Sequence, residues 1–146
     1  MSFERLLAAG RLRPRETRRD DIQHILQLAA RDLADASVPG LSSDRRFLIA
    51  YEAGLALATI PIYCGGYETH GSGHHWMTFQ LLPHFMGENM AELATYLESC
   101  RTKRNVGTYD RGGEISESEA DELVAEVQRF MTEIRAWLEA VHPDFS

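Results

Sequence analysis

Apolar side chains recur along most of this chain at the three- and four-residue spacing of an α-helix. One set predicts a helix from about residue 20 to residue 36, with apolar positions at Ile22, Ile25, Ala29, Leu33 and Ala36. Thr17 stands three residues before Asp20, which is N-cap spacing with an acid in the first turn. We expect this helix to begin after Thr17 and to stop before Pro39.

The most apolar segment runs from residue 47 to residue 63 and is apolar on nearly every side. We expect it to form the central helix, with Ser42 as its cap. Small residues recur within it at Ala50, Gly54 and Ala58, a stripe that lets a neighbouring helix approach closely. Glu52 interrupts the segment. It is either a solvent-facing acid or a buried partner for an arginine.

Further helices are predicted at Ser2 to Ala9, from His74 to the region of Pro83, and from Met90 to about Arg104. Ser72 is the expected cap of the second of these, after a glycine-rich loop over 64–73, and Pro83 should kink or stop it.

The last helix has the clearest start signal, because Ser116 and Glu119 have the spacing of a capping box. Its apolar positions continue for more than five turns to Val141, and Pro143 ends it. No stretch alternates with period two for long enough to predict a strand. The fold class is therefore all-α: an up-and-down bundle of four to five main helices plus a short N-terminal helix.

The length of 146 residues suits a single domain spanning 1–146, with its core at about 17–141. The net charge of −7 argues against nucleic acid covering the whole surface, although a local basic site remains compatible with it. Cys64 and Cys100 form no disulfide framework, and free thiols suit a cytoplasmic protein. No segment is long and apolar enough to predict a membrane span.

One basic stretch stands out against the acidic background. It contains Arg101, Lys103, Arg104, Asn105 and Tyr109 at the end of the predicted fifth helix. Cations in a last helical turn are favoured by the helix dipole, which is one sufficient explanation. The functional interpretation is a polar cluster that faces phosphate, since arginine offers a planar fork of donors and tyrosine can stack on a base.

Other chemistries find less support. His70, His74 and His75 lie within six residues, but Gly71 and Gly73 disfavour the helical geometry that such a zinc site needs. No serine-hydrolase elbow and no phosphate-binding P-loop is present, so neither a metal nor another cofactor is predicted. The arginine-rich run over 11–19 is either a solvated connection or a second phosphate contact.

The chain resembles the HEPN domains of prokaryotes over about residues 20–137. The resemblance rests on Arg104-Asn105 at a helix end, on Tyr109-Asp110 after it, and on Ile115-Ser116-Glu117 opening a long last helix. Upstream, 51–67 with its glycine-rich loop and Gly73-His74-His75 at a helix start also look like that family.

The resemblance implies a helical bundle that forms a homodimer. In many members an Arg-x4-6-His motif makes a metal-independent ribonuclease site, in which arginine binds the phosphate and histidine moves a proton. Many such proteins are toxins controlled by a partner nucleotidyltransferase or antitoxin. Here Arg104 matches the arginine, but Tyr109 occupies the histidine position. Loss of that group should cost about 10²–10⁴-fold in rate.

Three functions are therefore considered. The first is binding of a nucleotide, RNA or partner protein through the site at Arg101, Lys103, Arg104, Asn105 and Tyr109, without strong catalysis. The second is a metal-independent ribonuclease toxin using Arg104 and Tyr109. The third is a structural or oligomerisation module.

Overall fold

The computed structural model describes residues 2–105 and 115–146, and Tyr109 and Asp110 lie outside the described residues. The predicted all-α bundle is confirmed. The α-helices of the described ranges are α1 (Phe3–Ala8), α2 (Arg19–Ala36), α3 (Ser43–Cys64), α4 (His74–Met86), α5 (Ala91–Asn105) and α6 (Glu117–Val141).

Helix α3 is the centre of the bundle. It packs against α2, α4, α5 and α6, and ten of its 22 residues are buried, among them Phe47, Tyr51, Leu57 and Ile60. In the described part of the chain it is also the one helix long and apolar enough to cross a membrane by length and composition. Its place inside the bundle accounts for that composition, because a helix surrounded by others has no polar face to keep.

Two of the predicted helix starts are confirmed by their hydrogen bonds. The Ser42 hydroxyl accepts from the Arg45 N–H at the start of α3 (3.3 Å). At the start of α6, the Ser116 hydroxyl accepts from the Glu119 N–H (3.0 Å), while the Glu119 carboxylate accepts from the Ser116 N–H (3.1 Å). The expectation that Thr17 begins α2 was wrong by one residue. The N-cap position is Arg18, whose N–H donates to the Asp21 carboxylate (2.9 Å).

The prediction of a chain without strands was also wrong, although only for six residues. Strand β1 (Leu12–Pro14) pairs antiparallel with strand β2 (Tyr67–Thr69), with Leu12 opposite Thr69 and Pro14 opposite Tyr67. Three residues are too few for alternation to show in the sequence. The pairing ties the N-terminal segment to the glycine-rich loop, which was expected to be irregular over its whole length.

Two prolines lie inside helices. Helix α3 continues past Pro61 to Cys64, and α4 continues past Pro83 to Met86 before Gly87 ends it with a φ of +116°. Pro83 therefore does not stop α4. Each proline lies within the last turn of its helix, and each removes one hydrogen bond to the carbonyl four residues earlier without ending the helix at once.

The small-residue stripe of α3 faces its neighbours as expected. A Cβ atom added at Gly54 would lie 3.2 Å from Cγ2 of Val127 on α6 and 3.4 Å from Cδ2 of Leu97 on α5. Glycine at this position therefore sets how closely α5 and α6 pack on the central helix.

We expect Gly54→Val to lower the free energy of unfolding by about 1–3 kcal/mol, because the added methyl groups overpack this contact. Ala30→Val is the matched control, since Ala30 is exposed in the middle of α2 and the change tests only the helix cost of a β-branched residue. Urea unfolding of both variants measures the difference. Equal losses in the two would contradict the close packing described at Gly54.

Candidate functional site

A cleft of about 250 Å³ lies between the start of α4 and the end of α5. Helix α5 contributes Arg101 and Arg104, and the start of α4 contributes His74, His75 and Trp76. Two guanidinium groups and two imidazoles therefore line one concavity in a protein whose net charge is −7. Such a group of donors is suited to an anion with several oxygen atoms.

Helical geometry separates the three cations at the end of α5. Arg101 and Arg104 are three residues apart, so they share a helix face. Lys103 lies on another side of α5, where it pairs with Glu119 of α6 and lines a different, smaller cavity with Tyr96 and Glu122. The predicted basic cluster is thus divided, with the two arginines in the cleft and Lys103 outside it.

Arg104 is anchored to the central helix. Its Nη2 lies 3.1 Å from Oε1 of Glu52, and its guanidinium carbon lies 5.2 Å from the ring centroid of Tyr51. The side chain of Arg104 is 18% exposed, whereas that of Glu52 is 43% exposed. Of the two interpretations of Glu52, the arginine partner is the one found, although its carboxylate remains open to solvent on one side.

Arg101 is held by its own helix. Its Nε lies 3.0 Å from both carboxylate oxygens of Glu98, and its Nη2 lies 2.6 Å from one of them. The pairing fixes the guanidinium beside the cleft. With Glu98 and Glu52 counted, the charges of the two arginines are balanced.

His75 is in contact with Tyr51, which is fully buried. The Tyr51 hydroxyl lies 3.2 Å from Nδ1 of His75. Burial, only partly opposed by Arg104, raises the pKa of Tyr51, so the phenol keeps its proton at neutral pH. It can therefore donate to Nδ1, which favours the tautomer of His75 that carries its proton on Nε2.

The pKa of His75 is lowered, first by burial and then by the nearby charges of His74, Arg104 and Arg101. The rings of His74 and His75 lie edge to face, with centroids 4.5 Å apart. His74 is the more exposed of the two.

The prediction that Ser72 caps α4 was wrong. Gly73 is the N-cap residue and has a φ of +77°, a conformation that favours glycine. The carbonyl of Ser72 instead accepts a hydrogen bond from the guanidinium of Arg11. The segment that presents His74 is therefore held from the N-terminal region of the chain.

The arginine-rich N-terminal run is engaged with the protein itself. Arg13 and Arg15 both bind the carboxylate of Glu68 on β2, at 2.9 Å and 3.2 Å, and together they lower its pKa. Arg15 also stacks over the ring of Tyr63, 4.1 Å from its centroid. These contacts explain the arginine run: its side chains hold the loop that leads into the cleft.

The structure brings two of the predicted site residues together in the cleft and places a third outside it. Arg101 and Arg104 share the cleft, Lys103 does not line it, and Asn105 is the last residue of α5. Tyr109 lies outside the described residues. Sequence reasoning missed Tyr51 as a site residue, because a tyrosine in an apolar helix is usually core. For the wall of the cleft that faces the arginines, the signal available in the sequence was the pair of adjacent histidines after Gly73.

Among the described residues, no group of three or more His, Cys, Asp or Glu side chains is arranged to hold a metal ion. Comparison with family models, with curated proteins and with solved structures found no match to the chain. The HEPN resemblance therefore remains a prediction, and the geometry of the cleft is the main physical evidence for a function.

The lowered pKa of His75 predicts an acid-sensitive fold. The unfolded chain takes up a proton near the ordinary histidine pKa of about 6.5, whereas the folded chain takes it up only at lower pH. Stability should therefore be fully present above pH 6.5 and decline as the pH falls through the folded value. We expect His75→Gln to reduce the part of this decline between pH 7 and pH 5.

Urea unfolding of wild type and His75→Gln over that range measures the effect. His24→Gln is the control, since His24 is exposed on α2. An identical pH dependence in wild type and His75→Gln would show that the His75 site does not resist protonation.

Proposed function

We propose that the protein is a HEPN-like helical bundle that binds the phosphate groups of a nucleotide or RNA in the cleft between α4 and α5. The observation that carries the proposal is that Arg101 and Arg104 face His74 and His75 across one cavity. In the HEPN resemblance, Arg104 is the phosphate-binding arginine, and the cleft gives it additional donors.

A phosphate in the cleft would be held by charge-assisted hydrogen bonds from the guanidinium groups. Glu52 is exposed enough to turn toward solvent when an anion approaches Arg104. Glu98 keeps Arg101 in place on the same wall as Arg104. Because these carboxylates balance the arginine charges, uptake of a proton by His75 should strengthen binding.

The same contacts argue for binding without strong catalysis. A general base must accept a proton, and the Tyr51 contact favours a His75 ring whose Nε2 already carries one. His75 is therefore better placed as a hydrogen-bond donor to a phosphate oxygen than as a base. Tyr109 was considered for the proton-transfer position and lies outside the described residues.

A homodimer and a partner nucleotidyltransferase or antitoxin belong to this proposal as consequences of the resemblance, and cytoplasmic location belongs to it because of the cysteines. Cys64 and Cys100 are free thiols, which fits a reducing compartment. Burial raises the pKa of Cys64 to about 12 and of Cys100 to about 11, so neither is poised to react.

We expect Arg101→Gln and Arg104→Gln each to weaken binding of ATP or of a labelled single-stranded RNA by roughly tenfold, since each removes a charged fork. Lys103→Gln is the matched control, because it removes one charge from the same helix outside the cleft. Fluorescence anisotropy at pH 6.0 and pH 7.5 measures all four proteins.

The expected pattern is a loss in both arginine variants, nearly unchanged binding in Lys103→Gln, and tighter binding of wild type at pH 6.0. Arg104→Lys separates charge from geometry, since it keeps the charge but loses the planar fork. Equal losses of affinity in Lys103→Gln and Arg104→Gln would show that the ligand is attracted by charge in general, and would overturn the proposal that it binds in the cleft. No affinity for either ligand would favour a structural or oligomerisation module.

Metal-independent ribonuclease activity is the second candidate, and the position of His74 and His75 opposite Arg104 favours it. In that reaction the ribose 2′-oxygen attacks phosphorus and the bond to the 5′-oxygen breaks. One proton leaves the 2′-hydroxyl and another reaches the 5′-oxygen. His74 is the more exposed ring of the pair, so it is the one that an RNA strand in the cleft could reach.

We expect at most slow cleavage of RNA in the presence of EDTA, with a 2′,3′-cyclic phosphate product. The cleavage should fall by about 10²-fold or more in His74→Asn if that ring moves the proton. It should also be lost in Arg104→Ala. Gel analysis of end-labelled RNA measures both, and cleavage that persists unchanged in Arg104→Ala would exclude this cleft as its source.

A further inference from the structure

A second concavity, of about 360 Å³, separates α5 from α6. Both helices pack on α3, but over the described residues they make little direct contact with each other. The groove is lined on one side by residues from Asn89 to Tyr96 and on the other by residues from Glu122 to Glu133. The groove lies on the α6 side of α5, whereas the cleft that contains Arg101 and Arg104 lies on the α4 side.

The floor of this groove is apolar. Met90 is buried, and Leu93 and Tyr96 are partly buried beside the core. Leu93 lies three residues after Met90 and four before the buried Leu97, so it belongs to the face that α5 packs on the core. Tyr96 lies at the edge of that face, and the two side chains extend apolar surface from the core into the groove.

The rim of the groove is acidic. Glu122, Glu126 and Glu133 lie along α6, and Glu92 lies on α5. Within the described chain, Glu126 is the member of this set with a cationic partner, Arg129. The nearby carboxylate of Glu122 contributes to the raised pKa of Tyr96, after burial as the main cause. The groove thus combines an apolar floor with an excess of negative charge.

We propose that this groove binds a basic amphipathic helix of another protein. The stretch from Glu122 to Glu133 covers about 16 Å at 1.5 Å per residue, which is three helical turns. Apolar residues of such a helix would cover Leu93 and Tyr96, and its lysines or arginines would meet the carboxylates of the rim.

The negative charge of the rim argues against other possible occupants of the groove. RNA and anionic membranes carry the same sign as the rim. A second copy of this chain, related by a two-fold axis through the groove, would bring two acidic rims together. A cationic helix is the occupant that both covers the floor and neutralises the rim. The inference does not depend on the phosphate cleft.

The test uses a labelled 14-residue peptide with leucines at i, i+3, i+4 and i+7 spacing and lysines elsewhere. A scrambled peptide of the same composition and a peptide with glutamate in place of lysine are the controls. Fluorescence anisotropy measures affinity, and amide chemical shifts show where the peptide lies. We expect the patterned peptide to bind, with shifts concentrated on α5 and α6, and both controls to bind more weakly.

On the protein side, Glu122→Gln with Glu133→Gln should weaken the peptide by roughly tenfold. Glu4→Gln with Asp35→Asn removes the same charge at exposed positions on α1 and α2 and should change affinity less than twofold. Arg104→Gln should bind the peptide as wild type does. Equal losses in the two double variants, shifts outside α5 and α6, or no binding of the patterned peptide would each overturn the proposal.

Discussion

Burial of the apolar helix α3 is the interaction on which the rest of the structure depends. Four other helices, α2, α4, α5 and α6, pack on it, and its turn at Gly54 determines how closely two of them approach. Because each of these helices buries one face on α3, their outer faces and the spaces between them are fixed as a consequence. The arginine cleft and the acidic groove are two such spaces, on different sides of α5.

One turn of α3 also organises the cleft. Tyr51 and Glu52 are consecutive residues, and they place a phenol against His75 and a carboxylate against Arg104. Tyr51 is held by the core, so its contact favours one tautomer of His75 from the inside of the protein. The cleft is therefore a set of polar groups supported by the hydrophobic core.

The sequence was sufficient to predict what depends on local periodicity and on local hydrogen bonds. The helices, the Ser42 cap and the Ser116–Glu119 capping box depend on residues only a few positions apart. Features that depend on distant pairing were missed. The pairing of β1 with β2, the Arg11 contact that displaced Ser72 as a cap, and the contact of Tyr51 with His75 each join segments more than 20 residues apart. Arg104 was identified from its charge, but its partners were not.

In this protein of net charge −7, helix α5 lines both the cleft, which presents two arginines, and the groove, which presents several carboxylates. Arg101 and Arg104 line the cleft with α4 near the end of α5, whereas Leu93 and Tyr96 lie nearer its start, next to the carboxylates of α6. The acids of the groove are thus held away from the cleft, where they would otherwise repel a phosphate. Because both surfaces include α5, a ligand that shifted α5 along α3 would change the geometry of both. With α5 fixed by its packing on α3, we expect binding at one surface to leave binding at the other unchanged.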